Sequence, residues 1–126
     1  MIFDNERPVP KPEALAVLAG GDGARICRML VAVAFYEQDR KWVEVLMLDA
    51  SRHGNEQVAG LALVCIGHLA RIHGRVSPVA LHRVQEGRSI PALAGSAGDA
   101  WDDIQMYAPG SLSAAGGKCE EAKDEC

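Results

Sequence analysis

The stretch that most constrains the fold is residues 55–74, NEQVAGLALVCIGHLARIHG. Its apolar side chains, Val58, Leu61, Leu63, Val64, Ile66, Leu69 and Ile72 among them, point in nearly every direction around a helix. A helix apolar on so many sides needs neighbours on several sides. Asn55 is a good N-cap, Gly74 a good residue just past the C-terminus, and Arg71 and His73 place cations in the last turn, where the helix dipole favours them. At roughly 18 residues, interrupted by polar groups, the stretch is a poor membrane span. It reads as the central helix of a small all-α domain.

The rest of the chain supplies partners for it. Aromatic residues make up only 5% of the 126 residues, so the core must come from Leu, Val, Ala, Ile and Met. Those side chains suit close-packed helices, and no long alternating β-branched run points to a sheet. One domain is expected at this length. The net charge of -4 offers no general attraction to nucleic acid or anionic membranes. The opening MIFDNERPVPKP has neither a basic n-region nor an apolar h-region, so a cytoplasmic protein is expected.

Residues 1–11 read as an extended arm, because Pro8, Pro10 and Pro12 alternate with Val9 and Lys11. A helical domain is expected over residues 12–110. Pro12 opens a short helix that ends at Gly20 and Gly21. Asp22 caps a second helix, to about Tyr36, whose Ile26, Met29, Leu30, Val33 and Ala34 share one face. Asp39 caps a third, to about Ser51, with Trp42, Val45, Leu46 and Asp49 in one row and Val43 and Met47 widening the apolar side. After the central helix, Ser77 followed by Pro78 signals a fifth helix, to about Gln85. Pro91, Gly95 and Gly98 loosen the next stretch, and Ser96 or Asp99 is expected to open a last helix ending at Pro109 and Gly110. Residues 111–126 are small, polar and charged, and read as a disordered tail. Cys27 and Cys65 lie in apolar segments as small hydrophobes, whereas Cys119 and Cys126 in the tail are open to pairing, metal binding or life as free thiols.

The unit from Trp42 to Gly74 resembles a HEAT repeat. An apolar helix is followed by a polar joint and a helix rich in small residues. The features that carry the resemblance are Asn55 and Val58 at the entry, Ala59 and Ala62 at small positions, and Ile66, Gly67 and Leu69 near the end. Ala59 stands where the family usually has a basic residue. Degenerate copies on either side give two to three repeats. A wider resemblance, through FYEQDRKWVE, VAGLALVCIGHLARIHG and DAWDDIQMY, is to short bacterial HEAT-like proteins. It implies antiparallel helix pairs stacked as a short right-handed solenoid. Some small helical proteins of this size are immunity partners of bacterial toxins, which extends the resemblance by analogy to a protein-binding role.

No catalytic constellation emerges. His68 and His73 are five apart and diverge by about 140° around a helix, which argues against a shared metal. His53 and His82 complete the histidines, and HExxH is absent. No cofactor is expected. Ser96 lies in AGSAG, which lacks the first glycine of a nucleophile elbow and follows no strand. Gly20, Gly21 and Gly23 flank Asp22 at a helix start, but form neither a P-loop nor a dinucleotide fingerprint.

Charge carries more. Asp99, Asp102 and Asp103 crowd the last helix beside Trp101 and Tyr107, and Glu37 and Asp39 sit at an earlier joint. Aromatics beside carboxylates can anchor a basic protein partner, such as a toxin domain. The competing account places Trp101 and Ile104 in the core, with the aspartates merely suiting the helix's N-terminal half. A second candidate surface is Arg71, Arg75, Arg83 and Arg88, opposed only by Glu86, which would suit nucleic acid. The chain's acidity argues against it.

Overall fold

The computed structural model describes residues 8–116. Among them are seven helices and no strand: α1 (Lys11–Gly20), α2 (Gly23–Tyr36), α3 (Arg40–Ala50), α4 (Glu56–His73), α5 (Pro78–Arg88), α6 (Ala94–Tyr107) and α7 (Pro109–Gly116). The starts of α2, α3, α4 and α5 follow from side-chain caps. Asp22 accepts from the backbone N–H of Ala24 and Arg25, Asp39 from Trp42, Asn55 from Gln57 and Val58, and Ser77 from Ala80. Each cap satisfies an N–H that the helix itself cannot. Gly21 and Gly74, at φ 91° and 74°, take the left-handed conformation that ends α1 and α4 and that other residues avoid.

Helix α4 is enclosed as its apolar girth requires. The Cys65 thiol reaches the Leu30 carbonyl of α2 at 3.9 Å. Two residues on, a Cβ on Gly67 would stand 2.9 Å from the Ala100 Cα of α6. Two residues turn a helix by about 200°, so α2 and α6 flank α4 on nearly opposite sides. Helix α3 also packs on α4, while α1 pairs with α2 and α5 with α6. Leu63, Ile66 and Leu69 are wholly buried at the centre, each worth about 1.5–3 kcal/mol.

The α4–α6 approach depends on small residues. A Cβ on Gly60 would meet the Ser96 hydroxyl at 2.8 Å, and one on Gly87 of α5 would meet Leu63 Cδ1 at 2.8 Å and Ala97 Cβ at 3.1 Å. Helices α3 and α5 are tied differently, by buried polar groups. The Glu44 carboxylate accepts from the Ser77 N–H at 3.1 Å and from Arg40, with both ionic side chains nearly buried. Arg83 donates back to Ser51 at the end of α3.

Several boundaries differ from the sequence reading. Helix α6 starts at Ala94, ahead of both Ser96 and Asp99, and has no side-chain cap. The turn before it feeds straight in: the Leu93 N–H bonds the Ile90 carbonyl at 2.9 Å and the buried Leu93 anchors the entry. Helix α5 extends through Arg88 rather than stopping near Gln85. Lys11, expected in the arm, is already helical. The tail expected from Ser111 begins instead as helix, because α7 runs to Gly116. Ser111 accepts from the Val76 N–H at 3.0 Å and Leu112 packs on the core, which the polar composition concealed. Residues 1–7 of the expected arm and 117–126 of the tail, Cys119 and Cys126 included, lie outside the described residues. Val45 is 65% exposed rather than part of the buried row.

Candidate partner-binding surface

Helix α6 sorts its side chains by direction. Ala97, Ala100 and Ile104 face the core. Asp99, Asp102 and Met106 face outward, and Asp103 is half-buried toward α4, with its Oδ2 3.1 Å from where a Gly67 Cβ would stand. Trp101 and Tyr107 flank the acidic strip. Trp101 is half-buried against the core, and the Arg88 guanidinium lies 4.8 Å from its ring centroid. Arg71 of α4 lies 5.5 Å from the Tyr107 centroid. The two arginines nearest α6 are thus drawn to rings, where the π face attracts a cation. None of the three aspartates forms an ion pair within 4.0 Å among the described residues. Among the described residues, α6 thus presents three carboxylates without an ion-pair partner.

The other two acids occupy a different place. Glu37 accepts from the Asp39 N–H at 3.1 Å. Asp39 caps α3 and pairs with Lys11 at 2.7 Å, and that lysine lies 5.3 Å from the Trp42 centroid. The Lys11 hydrogen bond, helped by the Trp42 N–H, holds the Asp39 carboxyl below its ordinary range. Both residues serve the α2–α3 joint.

The four arginines do not form one patch. The Arg83 side chain is buried, bonding the Ser51 hydroxyl and carbonyl and the Glu86 carboxylate at 3.0, 2.8 and 3.2 Å. That bond from Arg83 holds the Glu86 carboxyl low. Arg71 and Arg88 are engaged with Tyr107 and Trp101, and Arg75 is exposed on the joint after α4.

The sequence reading missed residues beside the acidic strip. Phe35, 52% exposed at the end of α2, sets its ring 5.4 Å from that of His68 on α4. His68 sits among Phe35, Arg71 and Asp103. Burial and Arg71 push its pKa down, with Asp103 opposing. One signal for Phe35 was present: it follows Val33 by two residues, about 200° away from the apolar face. His73 is elsewhere, its pKa lowered by burial and Arg40 against the pull of Glu44, and its Nε2 is buried with no hydrogen-bond partner.

Other reactive groups are occupied by packing. Ser96 of the AGSAG stretch lies inside α6 against Gly60. Burial pushes the Cys65 thiol up to about 12, which keeps it protonated and unreactive. An open cleft between α1 and the end of α3, lined by Leu15, Leu18, Ala19, Asp49, Arg52 and His53, gathers none of the expected site residues. Among the described residues no helix is long and apolar enough to cross a membrane.

No family model matches the chain, and no curated protein matches it in sequence. Among solved structures, it is similar to one chain of a CDI complex from Cupriavidus taiwanensis LMG 19424, with a TM-score of 0.74 and 28% identity. The match covers 85% of this chain and 96% of that chain. The likeness is thus to nearly the whole of one chain of a complex.

Proposed function

We propose that this chain is a non-catalytic protein-binding module acting as an immunity protein, which binds a cognate toxin domain in the cytoplasm and blocks it. The observation that carries the reading is the acidic strip of α6: Asp99, Asp102 and Asp103 form no ion pair among the described residues and are flanked by Trp101 and Tyr107. Likeness to a member of a CDI complex, a contact-dependent inhibition pairing of toxin with immunity protein, supports it from a separate direction. The immunity half suits this chain better than the toxin half. Its Ser96 and Cys65 are consumed by packing, and its exposed acids suit steering a basic partner rather than attacking a substrate. A HEAT-like reading of the scaffold draws support from the packing of α4 between α2 and α6, with α1, α3 and α5 each paired to the helix that follows.

Such a protein neutralises by covering the toxin's active site or its substrate-binding surface. The test uses the full chain in two arms. Expressed alone it leaves growth unaffected, and expressed with the toxin domain it restores growth and co-purifies with that domain in stoichiometric amount. Growth arrest by this chain alone would assign it to the toxin half. An eluate holding only nucleic acid, lost in moderate salt, would replace the reading with a nucleic-acid-binding one through the exposed arginines.

A further inference from the structure

Three helices contribute to one surface around the acidic strip. From α2 comes Phe35, whose ring meets His68 of α4 at 5.4 Å. His68 feels the charge of Asp103 of α6, whose Oδ2 lies 3.1 Å from where a Cβ on the preceding Gly67 would stand. One turn further along α4, Arg71 covers the Tyr107 ring of α6. This unbroken run of neighbours crosses α2, α4 and α6 near their C-terminal ends. It leaves large apolar groups in water: Phe35, Ile72 (46% exposed), Met106 (70%) and Tyr107 (43%). The remaining exposed apolar residues are Tyr36 (42%), which ends α2 beside Phe35, and the aliphatic Leu15, Val45, Val79 and Ile90, which lie on α1, α3, α5 or the joint after it. Binding energy concentrates in aromatic residues and Arg, with Met also enriched at interfaces, whereas Leu and Val are under-represented as hot spots. The composition thus singles out the α2–α4–α6 face.

We infer that the toxin's seat is this three-helix face, with Phe35, His68 and Tyr107 as its contact core and the α6 aspartates as its acidic rim, and that the occupant is a basic surface of the toxin domain carrying an apolar or aromatic anchor. The inference rests on the immunity reading and assigns Phe35 and His68, on α2 and α4, to a site that α6 alone would not define. The charge argues for the occupant. Among the described residues Asp99, Asp102 and Asp103 form no ion pair, while Arg71 and Arg88 are held over rings. A basic partner gains attraction from the rim at long range and burial from the rings at contact.

The test uses the toxin domain that co-purifies with the full chain. Phe35→Ala and Tyr107→Ala, whose exposed side chains the core does not need, each raise Kd by roughly 10- to 30-fold, mainly through faster dissociation. Asp99→Lys with Asp102→Lys slows association, and the effect shrinks as salt rises. Val45→Lys and Val79→Lys, on the other helices, leave Kd unchanged, and circular dichroism confirms that every variant is folded. If wild type binds while Val45→Lys or Val79→Lys weakens it and Phe35→Ala and Tyr107→Ala do not, this surface is wrong and the immunity reading stands. If wild type fails to bind any toxin domain, the immunity reading fails and takes this surface with it.

Discussion

Arg83 donates through Nε to the Ser51 hydroxyl at 3.0 Å and through Nη2 to the Ser51 carbonyl at 2.8 Å, across 32 residues of sequence. The pair joins α5 to the end of α3, and the same hydroxyl donates back to Leu48 at 2.7 Å. Replacing Arg83 with Ala strands a buried carbonyl and leaves Glu86 without its closest cation. The expected loss is about 2–3 kcal/mol, read as a lower denaturant midpoint at constant m. Arg83→Lys recovers only part of it, because one ammonium cannot reproduce the guanidinium fork. Wild-type stability in Arg83→Ala would show that this pair contributes nothing.

The close approach of α4 and α6 gives two glycines opposite outcomes. In Gly67→Ala the new methyl meets the Ala100 Cα at 2.9 Å, and backbone cannot rotate aside. Helix α6 must shift, at a cost of about 1–3 kcal/mol. In Gly60→Ala the obstacle is the Ser96 hydroxyl at 2.8 Å, which can turn to another rotamer. Alanine's helix propensity, better than glycine's by about 0.8–1.0 kcal/mol, then offsets most of the strain. Urea unfolding of the two variants should separate them by more than about 1 kcal/mol, with Gly67→Ala the weaker. Equal midpoints would contradict the packing.

Much of this arrangement was legible because it is local. Asp22, Asp39, Asn55 and Ser77 all cap as their positions suggest, since a cap needs only its own next few residues. The buried set Ile26, Met29, Leu30, Val33 and Ala34 follows from one period. What the sequence did not reveal is what depends on distant partners. Arg83 looked like part of a basic patch because its acceptor, Ser51, lies on another helix. The pairing of Asp39 with Lys11 was hidden because the two lie 28 residues apart. Helix α6 starts early because a buried Leu93 and a preceding turn, not a capping side chain, set its entry. Phe35 and His68 came together only through the α2–α4 packing, which no spacing within either helix encodes.

Helix α7 makes Ser111 and Leu112 part of the fold. Ser111→Ala leaves the buried Val76 N–H without its acceptor, costing about 1 kcal/mol. Leu112→Ala removes a half-buried side chain packed on the core, for a loss of about 1 kcal/mol, below that of a fully buried leucine. Hydrogen exchange at Val76 should quicken in Ser111→Ala. If both variants keep wild-type stability and exchange, α7 does not dock as described.

Stability should fall in two separate pH ranges. His68 and His73 both have pKa values below the ordinary 6.5, first because burial disfavours the charged ring and then because Arg71 and Arg40, respectively, repel it. The unfolded chain therefore binds a proton on each histidine before the folded chain does. Their contribution is fully present above about pH 6.5 and is lost as pH falls through the folded values. Asp39 and Glu86 are also depressed, held by Lys11 and Arg83, but their contribution fades only at more acid pH, below the ordinary carboxylate range. Thermal melts from pH 8 to pH 3 should show a first decline beginning near pH 6.5 and a second below about pH 4. Replacing both histidines with Gln, which does not titrate, should remove the first decline and leave the second. A first decline that persists in the double variant would place its origin in groups other than His68 and His73.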